Sequence, residues 1–195
     1  YEEGAVIVDL LRPPTYDTLV DAARNGDYHM VVFYGHGIYE PNEGGQLLFE
    51  DPFGGGTEVE ASELGAALRN TEVRLVVLGA CQSAQVSEEG GVWSGTAPAL
   101  LHAGVPLVIG MQVSMRVDAA QAFIRQFALS LAAGKAVGES VADARTPLIR
   151  GTYGKQWFVP TLYGRPADTD RLFDETAPLP EATEDLRAEM KQLRA

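Results

Sequence analysis

The chain of 195 residues has a single cysteine, Cys81. No internal disulfide can form, and a lone thiol is the pattern expected of a reducing, cytoplasmic setting. Basic residues are scarce: 15 Lys and Arg against 27 Asp and Glu give a net charge of -12. Nucleic-acid binding needs Lys and Arg to neutralise phosphates, so it is not expected, and neither is an anionic membrane surface. A basic protein or peptide partner is favoured by the same charge. No apolar run reaches the roughly 18 residues that span a bilayer. The chain opens Tyr1-Glu2-Glu3, with neither an initiator Met nor a signal-peptide pattern, and reads as a piece of a longer protein. No His/Cys group has metal-ligand spacing, and Ala133-Gly134-Lys135 lacks the preceding Gly of a phosphate-binding loop. No metal or other cofactor is therefore expected. There is also no internal repeat and no low-complexity segment.

The chain does hold short apolar runs separated by helical patterns. Ala5–Leu11, Met30–Tyr34, Arg74–Gly79 and Pro106–Met111 read as buried strands. Trp157–Tyr163 reads as a last strand, with Pro160 suggesting an edge position. A helix is expected after Thr15 and ending at Gly26. Others are expected over Ala61–Arg69, with Ser62 as its cap, and over Thr96–Ala103, closed by Gly104. The longest helix starts at Asp118, with Ala119, Phe123, Phe127 and Leu131 on one face, and breaks at Gly134; Gly138–Leu148 follows. Residues 38–59, rich in Gly, Glu and Pro, read as loop with a possible hairpin strand at Leu47–Phe49. Strands that are apolar throughout and alternate with helices imply an α/β fold: a mostly parallel sheet covered on both faces. Residues 1–165 are expected to form this domain. Residues 166–195 read as a loop and a charged helix linking to a further domain.

In an open α/β sheet, sites gather beyond the carboxyl ends of the strands. Two strands end in unusual residues there: one at Gly35-His36-Gly37, the other at Ala80-Cys81-Gln82-Ser83. If those strands are parallel neighbours, His36 and Cys81 share one sheet edge. An imidazole beside a thiol can take its proton and return it to a leaving amine, which suits nucleophilic catalysis. The oxyanion that forms needs backbone N–H donors. Gly37 allows close approach, and the N–H of Cys81 is the natural second donor. Alone, each residue has a plain structural reading, as a small core thiol or a satisfied histidine. Their joint position at successive strand ends is what points to chemistry. His29 and His102 stand at no strand's carboxyl end and read as structural or exposed.

The stretch YHMVVFYGHG followed by VRLVVLGACQSA resembles the CHAT family, a branch of the caspase-like clan of cysteine peptidases. The segment from Ala97 to Gly134 and the closing WFVPTLYG are similar to the next strand, long helix and last strand of that family. Caspases carry the His about 50 residues before the Cys, and here the pair stands at 36 and 81. The resemblance implies a caspase-like three-layer α/β/α sandwich. It implies a cysteine endopeptidase with His36 as general base and acid, Cys81 as nucleophile, and Gly37 and Cys81 as oxyanion donors. It also implies the effector domain of a larger regulated bacterial signalling or defence protein, joined to a repeat or nucleotide-binding module. Relatives often carry Asp two residues before the Cys to hold a basic side chain at P1, the residue on the acyl side of the cleaved bond. Here that position is Gly79, so a neutral P1 is expected. Asp118 is the other candidate anchor, although its plain reading is a helix cap. Gln112 and Val113 would line the pocket wall. Two rival readings are a catalytically silent caspase-fold interaction module and a doubly wound nucleotide-binding domain. The second is disfavoured by Pro13-Pro14 where a Gly-rich turn would be needed.

Overall fold

A computed structural model describes residues 7–40, 44–79, 95–164 and 172. In chain order its elements are helix α1 (Tyr16–Asn25) and strands β1 (Met30–Phe33), β2 (His36–Glu40), β3 (Gly44–Glu50) and β4 (Gly56–Glu60). Then come helix α2 (Ala61–Leu68), strand β5 (Leu75–Leu78), helix α3 (Thr96–Ala103) and strand β6 (Leu107–Met111). Helices α4 (Val117–Ala132) and α5 (Val137–Arg150), a 3-10 turn (Gly154–Phe158) and strand β7 (Pro160–Gly164) complete the order.

Strands β1, β5 and β6 run parallel, and β7 pairs antiparallel with β6, in the order β1-β5-β6-β7. The all-apolar central strands β5 and β6 are buried throughout because helices cover both faces, whereas Val32 of the edge strand β1 stays exposed. Val31, Val76, Leu78 and Val108 point to one face. There they pack with Leu19 and Ala23 of α1, Leu64 and Leu68 of α2, and Leu100 of α3. Leu75, Val77, Leu107 and Ile109 point to the other, against Phe123, Phe127 and Leu131 of α4 and Val141, Ala144 and Leu148 of α5. The chain is thus α/β with a mostly parallel main sheet, as its alternating pattern implies.

The helix boundaries follow local chemistry. Thr15 caps α1 by accepting from the Thr18 N–H at 3.2 Å. Gly104, at φ +116°, closes α3 in a conformation that side chains rarely adopt. Ser62 does not cap α2. The cap position is Glu60, whose carboxylate accepts from the Ser62 hydroxyl at 2.9 Å.

Three segments depart from expectation. Ile7–Leu11 forms no strand, and Ile7, Val8 and Leu10 are exposed. Within this run, the Asp9 carboxylate accepts a 2.6 Å hydrogen bond from the Tyr28 hydroxyl, a side-chain tie in place of a sheet ladder. Residues 36–60 are not mainly loop but a three-stranded antiparallel sheet in the order β2-β3-β4. Its glycines disfavour a strand reading, yet Leu47, Phe49 and Val59 anchor it in the first core. Trp157 and Phe158 lie in the 3-10 turn, and the last strand begins only at Pro160. That is the start of an edge strand among the described residues, where proline's missing N–H is tolerated.

The 166–195 stretch lies outside the described residues except for Leu172, which is buried in the second core. Phe123 is fully buried and stacks on Phe127 with ring centroids 6.0 Å apart. Phe123→Ala is expected to cost about 3–5 kcal/mol in denaturant unfolding. Leu129→Ala, on the exposed side of the same helix, is expected to stay within about 0.5 kcal/mol.

Candidate active site

The strands that precede the two candidate catalytic residues are in direct contact. β1 and β5 are parallel neighbours with Phe33 beside Leu78. One residue further, the Gly79 N–H donates to the Phe33 carbonyl at 2.7 Å. Cys81 follows Gly79 by two residues, and His36 follows Phe33 by three. Ala80 and Cys81 fall outside the described residues.

A Cβ on Gly79 would stand 2.9 Å from Cδ1 and 3.0 Å from Cε1 of Tyr34, and 3.2 Å from the Phe33 carbonyl oxygen. The Tyr34 ring therefore fills the space that a side chain at position 79 would need. An acidic side chain at position 79 would have room only if this ring swung away. Partial burial pushes the Tyr34 phenol above its ordinary value.

His36 is exposed and opens β2, opposite Leu48 of β3; Gly37, half-buried, is opposite Leu47. His36 thus stands on a braced strand instead of in a turn. The bracing reaches further, through a glycine that the sequence reading missed. A Cβ on Gly45 of β3 would fall 2.3 Å from the Thr96 nitrogen and 2.5 Å from its Cα. Thr96 opens α3, where the chain returns from the segment that carries Cys81. The sheet bearing His36 and the far end of that segment are therefore packed backbone to backbone. The available signal was a glycine inside a strand, a common mark of close backbone approach.

Gln112 and Val113 leave β6 at the same carboxyl edge, and both are exposed. The Gln112 N–H donates to the Val159 carbonyl at 3.0 Å. Asp118 lies in the first turn of α4 but is not its cap; that position is Arg116, whose side chain makes no capping bond to the helix. The Asp118 carboxylate is held by the Arg116 guanidinium, Nε to Oδ1 at 3.0 Å and NH2 to Oδ2 at 2.6 Å. Its Oδ1 also accepts from the Ala119 N–H at 2.9 Å. These bonds, those from Arg116 first, hold the Asp118 carboxyl below its usual range. Asp118 is thus already occupied by a cation of its own chain.

His29 precedes β1, and its carbonyl accepts from the Arg74 and Leu75 N–H groups. His102 lies in the last turn of α3. Neither stands at the carboxyl edge. Among the described residues no three His, Cys, Asp or Glu side chains are grouped to hold a metal ion. No described helix is long and apolar enough to cross a membrane.

Two parallel strand ends joined at one edge, with a histidine leaving the first and a cysteine-bearing segment leaving the second, agree with the comparison to protein families. The family model of the CHAT domain matches residues 2–174, and the chain belongs to that family, which is caspase-like and related to proteases. A search of curated proteins gives no significant match.

The Gly45 contact makes a direct test. Gly45→Ala is expected to lose about 1–3 kcal/mol, since a methyl group must be forced into close packing. Gly138 in α5 has open space around its Cβ position, so Gly138→Ala is expected to gain about 0.5–1 kcal/mol from helix propensity. Equal behaviour of the two variants in denaturant unfolding would refute the tight β3–α3 contact.

Proposed function

We propose that the chain is a cysteine endopeptidase domain with a caspase-like three-layer sandwich, using Cys81 as nucleophile and His36 as general base and acid. The observation that carries this reading is the Gly79 to Phe33 hydrogen bond. It starts both catalytic segments from touching points on adjacent parallel strands. Family membership supports the same chemistry.

In this reading His36 takes the thiol proton, and the thiolate of Cys81 attacks the carbonyl carbon of the scissile bond. The N–H groups of Gly37 and Cys81 face the oxyanion. Collapse of the tetrahedral intermediate breaks the C–N bond as His36 protonates the departing amine, leaving a thioester. Water then gives a proton to His36 and attacks the thioester. The acid is released, and the proton returns to the thiolate. Gly79, Gln112 and Val113 border the substrate. With Gly79 packed under Tyr34 and Asp118 taken up by Arg116, a neutral P1 side chain fits best.

The substrate is a protein or peptide, for which the charge of -12 favours basic flanking sequence. The resemblance to CHAT effectors supports a place in a larger regulated, cytoplasmic bacterial signalling or defence protein.

The test is alkylation by peptidyl acyloxymethyl ketones that differ at P1, read by intact mass. One adduct is expected, on Cys81, absent in Cys81→Ala and slowed by about 10²–10⁴-fold in His36→Ala. Reagents with a neutral P1 are expected to react faster than those with Asp or Arg. A Cys81 that reacts no faster than free cysteine, in this chain and in the full-length protein, would indicate a silent interaction module instead.

A further inference from the structure

The edge strand β7 brings a second feature to the carboxyl edge. Because β7 runs antiparallel to β6, its first residue, Pro160, lies beside Met111, the last residue of β6. The 3-10 turn before Pro160 therefore sits where the parallel strands end. Two hydrogen bonds fasten it to the segment leaving β6. The Gln112 N–H donates to the Val159 carbonyl at 3.0 Å, and the Arg116 N–H donates to Oε1 of Gln156 at 3.0 Å. From beneath, the Arg145 guanidinium of α5 donates to the Pro160 carbonyl at 2.7 Å.

On this fastened platform, three large apolar side chains stay open to water: Val113 at 46%, Trp157 at 43% and Phe158 at 40% exposure. The Trp157 and Phe158 rings meet edge to face, with centroids 6.0 Å apart and planes at 85°. Neighbouring apolar groups exposed on a braced segment mark a binding surface more than a packing fault. Arg116, the cation nearest Val113 in sequence, is paired with Asp118. The surface therefore offers apolar area, with Lys155 of the same turn as an exposed cation beside it.

Its place in the sheet order suggests what it binds. β7 is two strands from β5, a separation of roughly 10 Å at the usual strand spacing. An extended peptide advances roughly 3.3 Å per residue. A substrate attacked beyond β5 and lying across the strand ends would present a side chain about three residues from its scissile bond to this surface. We propose that Val113, Trp157 and Phe158 form a substrate subsite for a bulky apolar or aromatic side chain, two to four residues from the cleaved bond. This inference rests on the peptidase reading above.

The test has two arms. In the first, quenched peptides carrying Phe, Leu, Asp or Gly at each of four positions on either side of the scissile bond are compared by kcat/KM. One position two to four residues away is expected to favour Phe or Leu over Gly by about tenfold or more. That preference is expected to vanish in the Trp157→Ala/Phe158→Ala double variant, with cleavage of the Gly peptide unchanged. In the second, uncleaved peptides are added to Cys81→Ala in a Trp93→Phe background, and Trp157 emission is followed; Trp157→Phe serves as the blank and Val113→Ser as a milder variant. A blue shift with the Phe peptide but not the Gly peptide is expected, with binding weakened about tenfold by Val113→Ser. Cleavage with the same selectivity in wild type and double variant overturns the subsite but leaves the peptidase reading intact. No cleavage and no Cys81 alkylation overturns the peptidase reading, and the emission arm then decides the surface alone. A Trp157 spectrum indifferent to peptide overturns it.

Discussion

The hydrogen bond from the Gly79 N–H to the Phe33 carbonyl is the constraint on which the site depends. Its strength is ordinary, since a backbone hydrogen bond nets only about 0.5–1.5 kcal/mol. Its importance is positional. It extends the β1–β5 contact past Leu78, so the strands that precede His36 and Cys81 in sequence end at adjoining points. The missing side chain at Gly79 permits this closeness and lets Tyr34 lie over the junction. The junction is rigid because its foundation is. Leu75, Val76, Val77 and Leu78 are inaccessible to water, and helices clamp them from both faces.

A second contact closes a loop of constraints. His36 opens β2, β2 pairs with β3, and Gly45 of β3 packs against the backbone of Thr96. Thr96 starts α3, whose Leu100 enters the same core as Val76 and Leu78. The segment bearing Cys81 therefore begins at a strand bonded to β1 and ends at a helix packed on the sheet that carries His36. Both ends of that segment are referenced to the histidine. The chemistry proposed above needs reacting atoms within roughly 3–3.5 Å, and anchoring both ends of the intervening segment serves that requirement better than anchoring one.

The main-sheet strands and the helices were legible in the sequence for a simple reason. Full burial leaves no alternation, so LVVL and LVIGM announce a strand covered on both faces, and Phe123, Phe127 and Leu131 announce a helix by spacing alone. The exposed AVIVDLL run misleads by the same criterion: periodicity cannot separate a short apolar strand from an apolar segment held by a side-chain tie such as Asp9 to Tyr28. The β2-β3-β4 sheet was hidden by its glycines, of which Gly45 is required for the close approach to Thr96 of α3 despite its poor strand propensity. At the site, the two strand ends were readable, as was the absence of a carboxylate at position 79. The reason that no carboxylate fits there was not readable, because it lies in the Tyr34 ring. Nor was the pairing of Asp118 with Arg116, since a carboxylate in the first turn of a helix has the same signature whether it caps or pairs.

Taken together, these features define a site that selects weakly by side chain. The Tyr34 ring lies against the position a side chain at Gly79 would take, and the Asp118 carboxylate is paired with Arg116. Exposed along the carboxyl edge are the apolar Val113, Trp157 and Phe158, beside the polar Gln112. Apolar pockets discriminate modestly, by about 10–200-fold for a methylene group, whereas a buried charge or hydrogen-bonding group left unpaired rejects a wrong partner far more strongly. If the chain is the peptidase proposed above, it cannot draw narrow specificity from one subsite. It must combine several weak apolar contacts or rely on docking of the substrate elsewhere. On the same reading, the net charge of -12 would serve long-range recruitment, since an acidic surface raises the encounter rate of a basic partner.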